Sequence, residues 1–139
     1  ALNYKDLPVV QRAFELVREV DAFVQTLPHS PQGRVVADQL FRAAASIGAN
    51  VAEGRGRDTG KEYARYLRIA RASANETDYW LHVARDCKLI TDESYERMIS
   101  LTDECLRMLS SMITKLRAAS ERYLQEHSEP YVSYGDPDL

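Results

Sequence analysis

The chain has 139 residues, 45% apolar and 28% charged, with 18 basic side chains against 21 acidic ones. These proportions fit one globular domain and exclude a disordered chain, a collagen-like chain and a multidomain enzyme. Six glycines and five prolines are too few for a turn-rich all-β domain, and none falls between Gly60 and Pro130, so long helices joined by short turns are expected.

The first helix is expected from about Pro8 to about Thr26. Pro8 suits a first helical turn, and Val9, Ala13, Leu16, Val20, Phe23 and Leu27 step by 4, 3, 4, 3, 4 along one amphipathic stripe. Pro28 and Pro31 bracket the turn that follows, since neither continues a helix easily. The second helix is expected from about Gly33 to about Glu53, with Val36, Leu40, Ala43, Ile47 and Val51 as its stripe. Phe41, Ala45, Gly48, Ala49 and Ala52 make its other faces apolar and small, as in a helix covered nearly all round. Gly54 is the expected C-cap, opening the loop Gly54-Arg55-Gly56-Arg57-Asp58. Thr59-Gly60-Lys61-Glu62 is a capping box that starts the third helix, which runs to about Cys87 or Lys88. Its stripe is Tyr63, Leu67, Ala70, Ala74, Thr77, Leu81 and Ala84. The fourth helix opens at Thr91, with Asp92 and Glu93 in the turn where the helix dipole favours them. Tyr95, Met98, Thr102, Cys105, Leu109, Met112 and Leu116 form its stripe, and Ile99, Leu106 and Ile113 a second row. After Ser120 the pattern fades into an acidic tail, residues 121–139, that carries Tyr131 and Tyr134 and is expected to dock on its own bundle or on a neighbour. The fold predicted is all-α: an antiparallel up-down four-helix bundle over residues 1–120.

Several chemistries are excluded by what is missing. There is no Glu-x-x-His pair for a di-iron bundle, and His29, His82 and His127 share no ligand spacing, so no metal or cofactor is expected. No P-loop and no Gly-x-Ser-x-Gly elbow occurs, so no enzymatic activity and no small-molecule substrate are expected either. Arg122 and His127 have the Arg-x4-His spacing of helical ribonucleases, but they lie in the fading acidic end rather than on a core stripe. Cys87 and Cys105 make no disulfide framework and read as two reduced thiols in the core. With no basic-then-apolar leader and no long apolar run, they predict a cytoplasmic protein with no membrane partner.

The specific signal is a long motif. It reads Ser46-Ile47-Gly48-Ala49-Asn50-Val51-Ala52-Glu53-Gly54-Arg55-Gly56-Arg57, then Glu62-Tyr63, Tyr66-Leu67-Arg68-Ile69-Ala70 and Ala72-Ser73-Ala74-Asn75-Glu76. This resembles the 23S ribosomal RNA intervening-sequence proteins, also called the four-helix bundle protein family, over about residues 4–117. The chain departs from that pattern at Cys87-Lys88-Leu89, where the family commonly has Gly, and in its acidic tail. The resemblance implies a four-helix bundle assembled into a ring of five, with no known catalytic activity and no settled function. It also implies a likeness in fold to the accessory variability determinant of diversity-generating retroelements, which binds nucleic acid and a reverse transcriptase.

Three groups of residues are candidates for function. Ser46, Asn50 and Glu53 share one side of the second helix, and Ser73 and Glu76 one side of the third. They read either as a buried network joining the two helices or as a ligand site. Arg55, Arg57, Lys61, Arg65, Arg68 and Arg71 form a basic strip on the loop and the third helix, where residues 34–71 hold eight basic and four acidic side chains. The strip reads either as a phosphate-binding surface for RNA or a nucleoprotein partner, or as a solvated face paired with Asp58 and Glu62. Phe14, Phe41, Ile69 and Trp80 lie off the core stripes and predict a homo-oligomer interface. The rival to nucleic-acid binding is a protein–protein adaptor ring.

Overall fold

The computed structural model describes residues 3–128, which form four helices and no strand. A short 3-10 turn, Tyr4–Asp6, precedes α1 (Pro8–Val24), α2 (Pro31–Arg55), α3 (Gly60–Asp86) and α4 (Asp92–His127). Each helix packs on the next, α4 closes back on α1, and the backbones of the diagonal pairs stay apart. Connections of four to six residues force neighbours to run antiparallel.

The helix starts follow side-chain capping. Ser30, Thr59 and Thr91 each accept a backbone N–H from three residues on, at 3.1–3.2 Å. Ser30 makes Pro31 the first residue of α2, so this proline opens the helix rather than merely ending the turn. At the other end α2 runs past Gly54 to Arg55, and its C-cap is Gly56. The expected cap at Gly54 is therefore corrected: Gly54 is helical and buried.

The first two stripes are buried along their length, and all of the third is buried except Tyr63, which is half-buried. On α4, Tyr95 to Leu109 are buried as expected, but Met112 and Leu116 are half-buried and Ile113 is buried instead. Leu116 stands level with Gly60, the first residue of α3, at the open end of the bundle where no further turn covers it. Beyond it α4 continues to His127 rather than fading at Ser120, and residues 119–128 are exposed. At 1.5 Å per residue this overhang is about 15 Å long. Tail residues from Glu129 on, with Tyr131 and Tyr134, lie outside the described residues.

The two cysteines differ. Cys87, the C-cap of α3, is exposed, which corrects its expected place in the core, whereas Cys105 is buried and its thiol is pushed up to about 11, first by burial and then by Glu104. No helix among the described residues is long and apolar enough to cross a membrane, and no group of three His, Cys, Asp or Glu could hold a metal ion.

Lys88 marks the turn after α3. It takes φ 58, the one non-glycine with positive φ among the described residues, and Leu89 N–H donates to the Ala84 carbonyl at 2.8 Å while Lys88 N–H donates to Arg85. This is a Schellman end with lysine where glycine is usual. A side chain in that region costs about 1–2 kcal/mol, and glycine costs back about 0.5–1 kcal/mol in unfolded-chain entropy. Lys88→Gly is therefore expected to stabilise the fold by up to about 1 kcal/mol in reversible denaturation; a destabilised variant would show that the lysine side chain matters more than its backbone.

Candidate nucleic-acid interface

The basic strip is assembled where α2 hands over to α3. Gly54 lets the two helices approach, and the loop after it puts Arg57 beside the first turns of α3. Arg57 Nη2 donates to Tyr66 Oη at 2.7 Å and also reaches the Glu53 carboxylate. The Arg57 guanidinium lies 5.0 Å from the Tyr66 ring centroid and that of Arg65 lies 5.3 Å from it, so one aromatic ring holds two cations. Tyr66 above all pushes the Arg57 guanidinium up from its ordinary value; burial opposes it, and Glu53 adds to the rise. Arg65 meets Glu62 only at 3.9 Å, with both side chains about half exposed, which is a weak pairing.

The remaining cations split away from this pair. Lys61 and Arg68 are exposed and turn toward α4, where they line a groove with Arg117. Arg71 is half-buried and Nη1 reaches Ser110 Oγ of α4 at 3.5 Å. Arg55 is half-buried in the last turn of α2. The strip is thus two clusters, Arg57 with Arg65 around Tyr66, and Lys61 with Arg68 beside α4. Tyr66 was visible in the motif directly after Arg65; its part in holding Arg57 and Arg65 together is a contact that spacing alone does not give.

The polar residues of the motif are arranged differently from a network joining the two helices. Ser46 Oγ donates to the Ala43 carbonyl at 2.9 Å, Asn50 Nδ2 to the Ser46 carbonyl at 2.8 Å and Ser73 Oγ to the Ile69 carbonyl at 3.1 Å. Each bonds one turn back on its own helix, where the nearest acceptor for a short side chain lies. Glu53 and Glu76 are exposed. Of the expected network, Glu53 does take part in a link between α2 and α3, through Arg57 to Tyr66 at the end of the seam. Nearby, the Tyr63 hydroxyl is buried with no hydrogen-bond partner among the described residues.

The apolar candidates form two surfaces. Phe14, 46% exposed, lines a groove of about 260 Å3 with Ala45, Gly48, Ala49 and Ala52 between α1 and α2, and Phe41 is exposed on α2. Trp80 is half-buried and lines a second apolar groove with Val35 and Val83, while Ile69 is 38% exposed on α3. Arg122 and His127 do not converge: five residues put them about 140° apart around α4, and the His127 ring stacks on Tyr123 at 4.1 Å.

With this geometry in view, the comparisons are specific. No curated protein matches the chain. A crystal structure of a protein of unknown function from the S23 ribosomal protein family of Bacteroides thetaiotaomicron is similar, with 30% identity and a TM-score of 0.71 over 76% of this chain and 97% of that one. The family model described as 23S rRNA-intervening sequence protein matches residues 5–111, which takes in α1, α2, the Arg57–Tyr66 corner and all of α3. The motif that builds this corner is therefore read in its family setting: the chain belongs to the 23S rRNA-intervening sequence protein family.

Proposed function

We propose that the protein is a non-enzymatic, homo-oligomeric bundle that binds single-stranded nucleic acid, RNA foremost, through the Arg57–Tyr66–Arg65 corner and the adjoining Lys61 and Arg68. The observation that carries the reading is the corner itself. Two guanidinium groups are held over one tyrosine ring, and Lys61 and Arg68, in the second cluster beside α4, have no ion pair among the described residues. Fixed arginines suit bidentate phosphate contacts, and a nearby aromatic ring suits a base or ribose. Membership of a family described by 23S rRNA intervening sequences agrees in direction. The apolar surfaces around Phe14, Phe41, Ile69 and Trp80 support self-association, which we propose gives a ring of five; a ring would repeat the basic corner and raise avidity without new contacts.

The test is an anisotropy titration with a labelled single-stranded RNA. Four phosphate contacts give a log–log salt slope of about −2.8, so affinity should fall roughly 50-fold between about 50 and 200 mM salt. R65E/R68E should abolish binding while light scattering shows the oligomer unchanged. A wild type that fails to bind at low salt, or a reversed variant that binds equally well, overturns the reading in favour of a protein–protein adaptor, and a stable monomer at micromolar concentration overturns the ring.

A further inference from the structure

A groove of about 460 Å3 runs between the first turns of α3 and the overhanging end of α4. Lys61 and Arg68 line it from α3 and Arg117 from α4, while Leu116 and Tyr123 give it an apolar wall. Glu121 is the one acidic residue in the lining among the described residues. None of Lys61, Arg68 and Arg117 has an ion pair or hydrogen bond among the described residues. Three uncommitted cations beside an apolar wall call for an occupant that is acidic and also aromatic or apolar. The α4 side of the groove, from Leu116 on, lies beyond the residues that the family model matches.

Residues 129–139 of this chain have that chemistry. They hold Glu129, Asp136 and Asp138 with no Lys or Arg, and Tyr131, Val132 and Tyr134 between the acids. They also begin in the right place. Ser128 leaves α4 in an extended conformation, at φ −71 and ψ 118. Going back along α4 from Ser128 to Arg117 covers about 16 Å at 1.5 Å per residue. Eight extended residues, from Ser128 to Asp136, span up to about 26 Å. The segment is therefore long enough to bring its aspartates to Arg117 and Arg68 and its tyrosines to the Leu116–Tyr123 wall.

We propose that the groove between α3 and α4 is the docking site for residues 129–139 of the same chain, with its aspartates on Lys61, Arg68 and Arg117 and its tyrosines on the Leu116–Tyr123 wall. The docking stands on the groove and on the charge and reach of the segment, and it holds whether or not the basic corner binds nucleic acid. Where nucleic acid does bind, Lys61 and Arg68 are shared and the docked segment competes for them.

Amide NMR spectra of the full chain, recorded without nucleic acid, test this. In the wild type at low salt, the amides of residues 131–139 should be broadened and displaced from random-coil positions. They should become sharp and random-coil in K61E/R68E/R117E, in D136N/D138N, and in wild type at high salt. Using both a groove variant and a tail variant guards against a folding defect at the groove. Sharp random-coil tail signals in wild type at low salt overturn the proposal and leave the groove to another acidic partner. Broadening that survives both charge variants overturns it too, and broadening that vanishes on tenfold dilution assigns the occupant to a neighbouring copy and overturns docking within one chain. Loss of RNA binding with the tail still docked would fail only the nucleic-acid reading.

Discussion

Leu67→Ala should lower the free energy of unfolding by about 2–5 kcal/mol. Leu67 is fully buried and stands on the side of α3 that packs against both α2 and α4. Removing its isobutyl group loses the transfer free energy of the missing atoms and leaves a cavity. The cavity has little to refill it, because the next positions on the same stripe are Ala70 and Ala74, which are buried and too short to lean in. That places the expected cost in the upper half of the range. Ile69→Ala, two residues along the same helix, is the comparison: Ile69 is 38% exposed, and its truncation should cost only about 1 kcal/mol or less in the single bundle. Denaturant titrations of the two variants at equal protein concentration check this, since association would add a concentration-dependent stabilisation to both. A loss well under 1 kcal/mol at Leu67 would sink the assignment of this stripe to the core.

Burial was legible wherever it followed from a repeating pattern. Val9 to Leu27, Val36 to Val51 and Leu67 to Ala84 are buried in the rows that their 3 and 4 spacing marks, because a helix that must hide one face repeats apolar residues at that period. The pattern misled at the ends. Leu116 belongs to its row by spacing, but it stands at the height where α3 begins, and spacing says nothing about where a neighbouring helix starts. Pro31 reads as a stop or a start depending on whether a cap precedes it, and Ser30 decides for a start. The candidate site was legible only in part. The arginines could be placed on one stretch of chain, but their division between Tyr66 and the α4 groove depends on where each long side chain lies. The polar motif residues could be placed on facing sides of two helices, yet Ser46, Asn50 and Ser73 each found a carbonyl within their own helix, a local choice that a pattern cannot separate from a bridge.

Gly54→Ala should destabilise the protein by about 1–3 kcal/mol, although an alanine in a helix ordinarily gains about 1 kcal/mol over glycine. The reason is contact rather than conformation, since no described glycine has a positive φ. A Cβ at position 54 would lie 2.5 Å from the Tyr66 Cβ, 3.1 Å from the Tyr63 ring and 3.3 Å from the Tyr63 carbonyl oxygen. The Tyr66 Cβ is fixed to the α3 backbone and cannot swing aside as a flexible chain end would. The variant must therefore push α2 and α3 apart at their joined end, opening the packing around Val51 and Leu67 and moving Arg57 relative to Tyr66. Gly56, two residues on in the same motif, has nothing nearer than the Glu53 carbonyl at 3.6 Å and an ordinary αR backbone. Gly56→Ala should accordingly leave both stability and RNA affinity within about twofold of wild type, or about 0.5 kcal/mol. Gly54→Ala should weaken RNA binding as well, because the Arg57–Tyr66–Arg65 arrangement depends on the close approach. Equal stability of the two variants by denaturant unfolding would show that α2 and α3 have room to separate at this end; a destabilised Gly54→Ala that still binds RNA like wild type would show that the corner does not need its present geometry to hold phosphate.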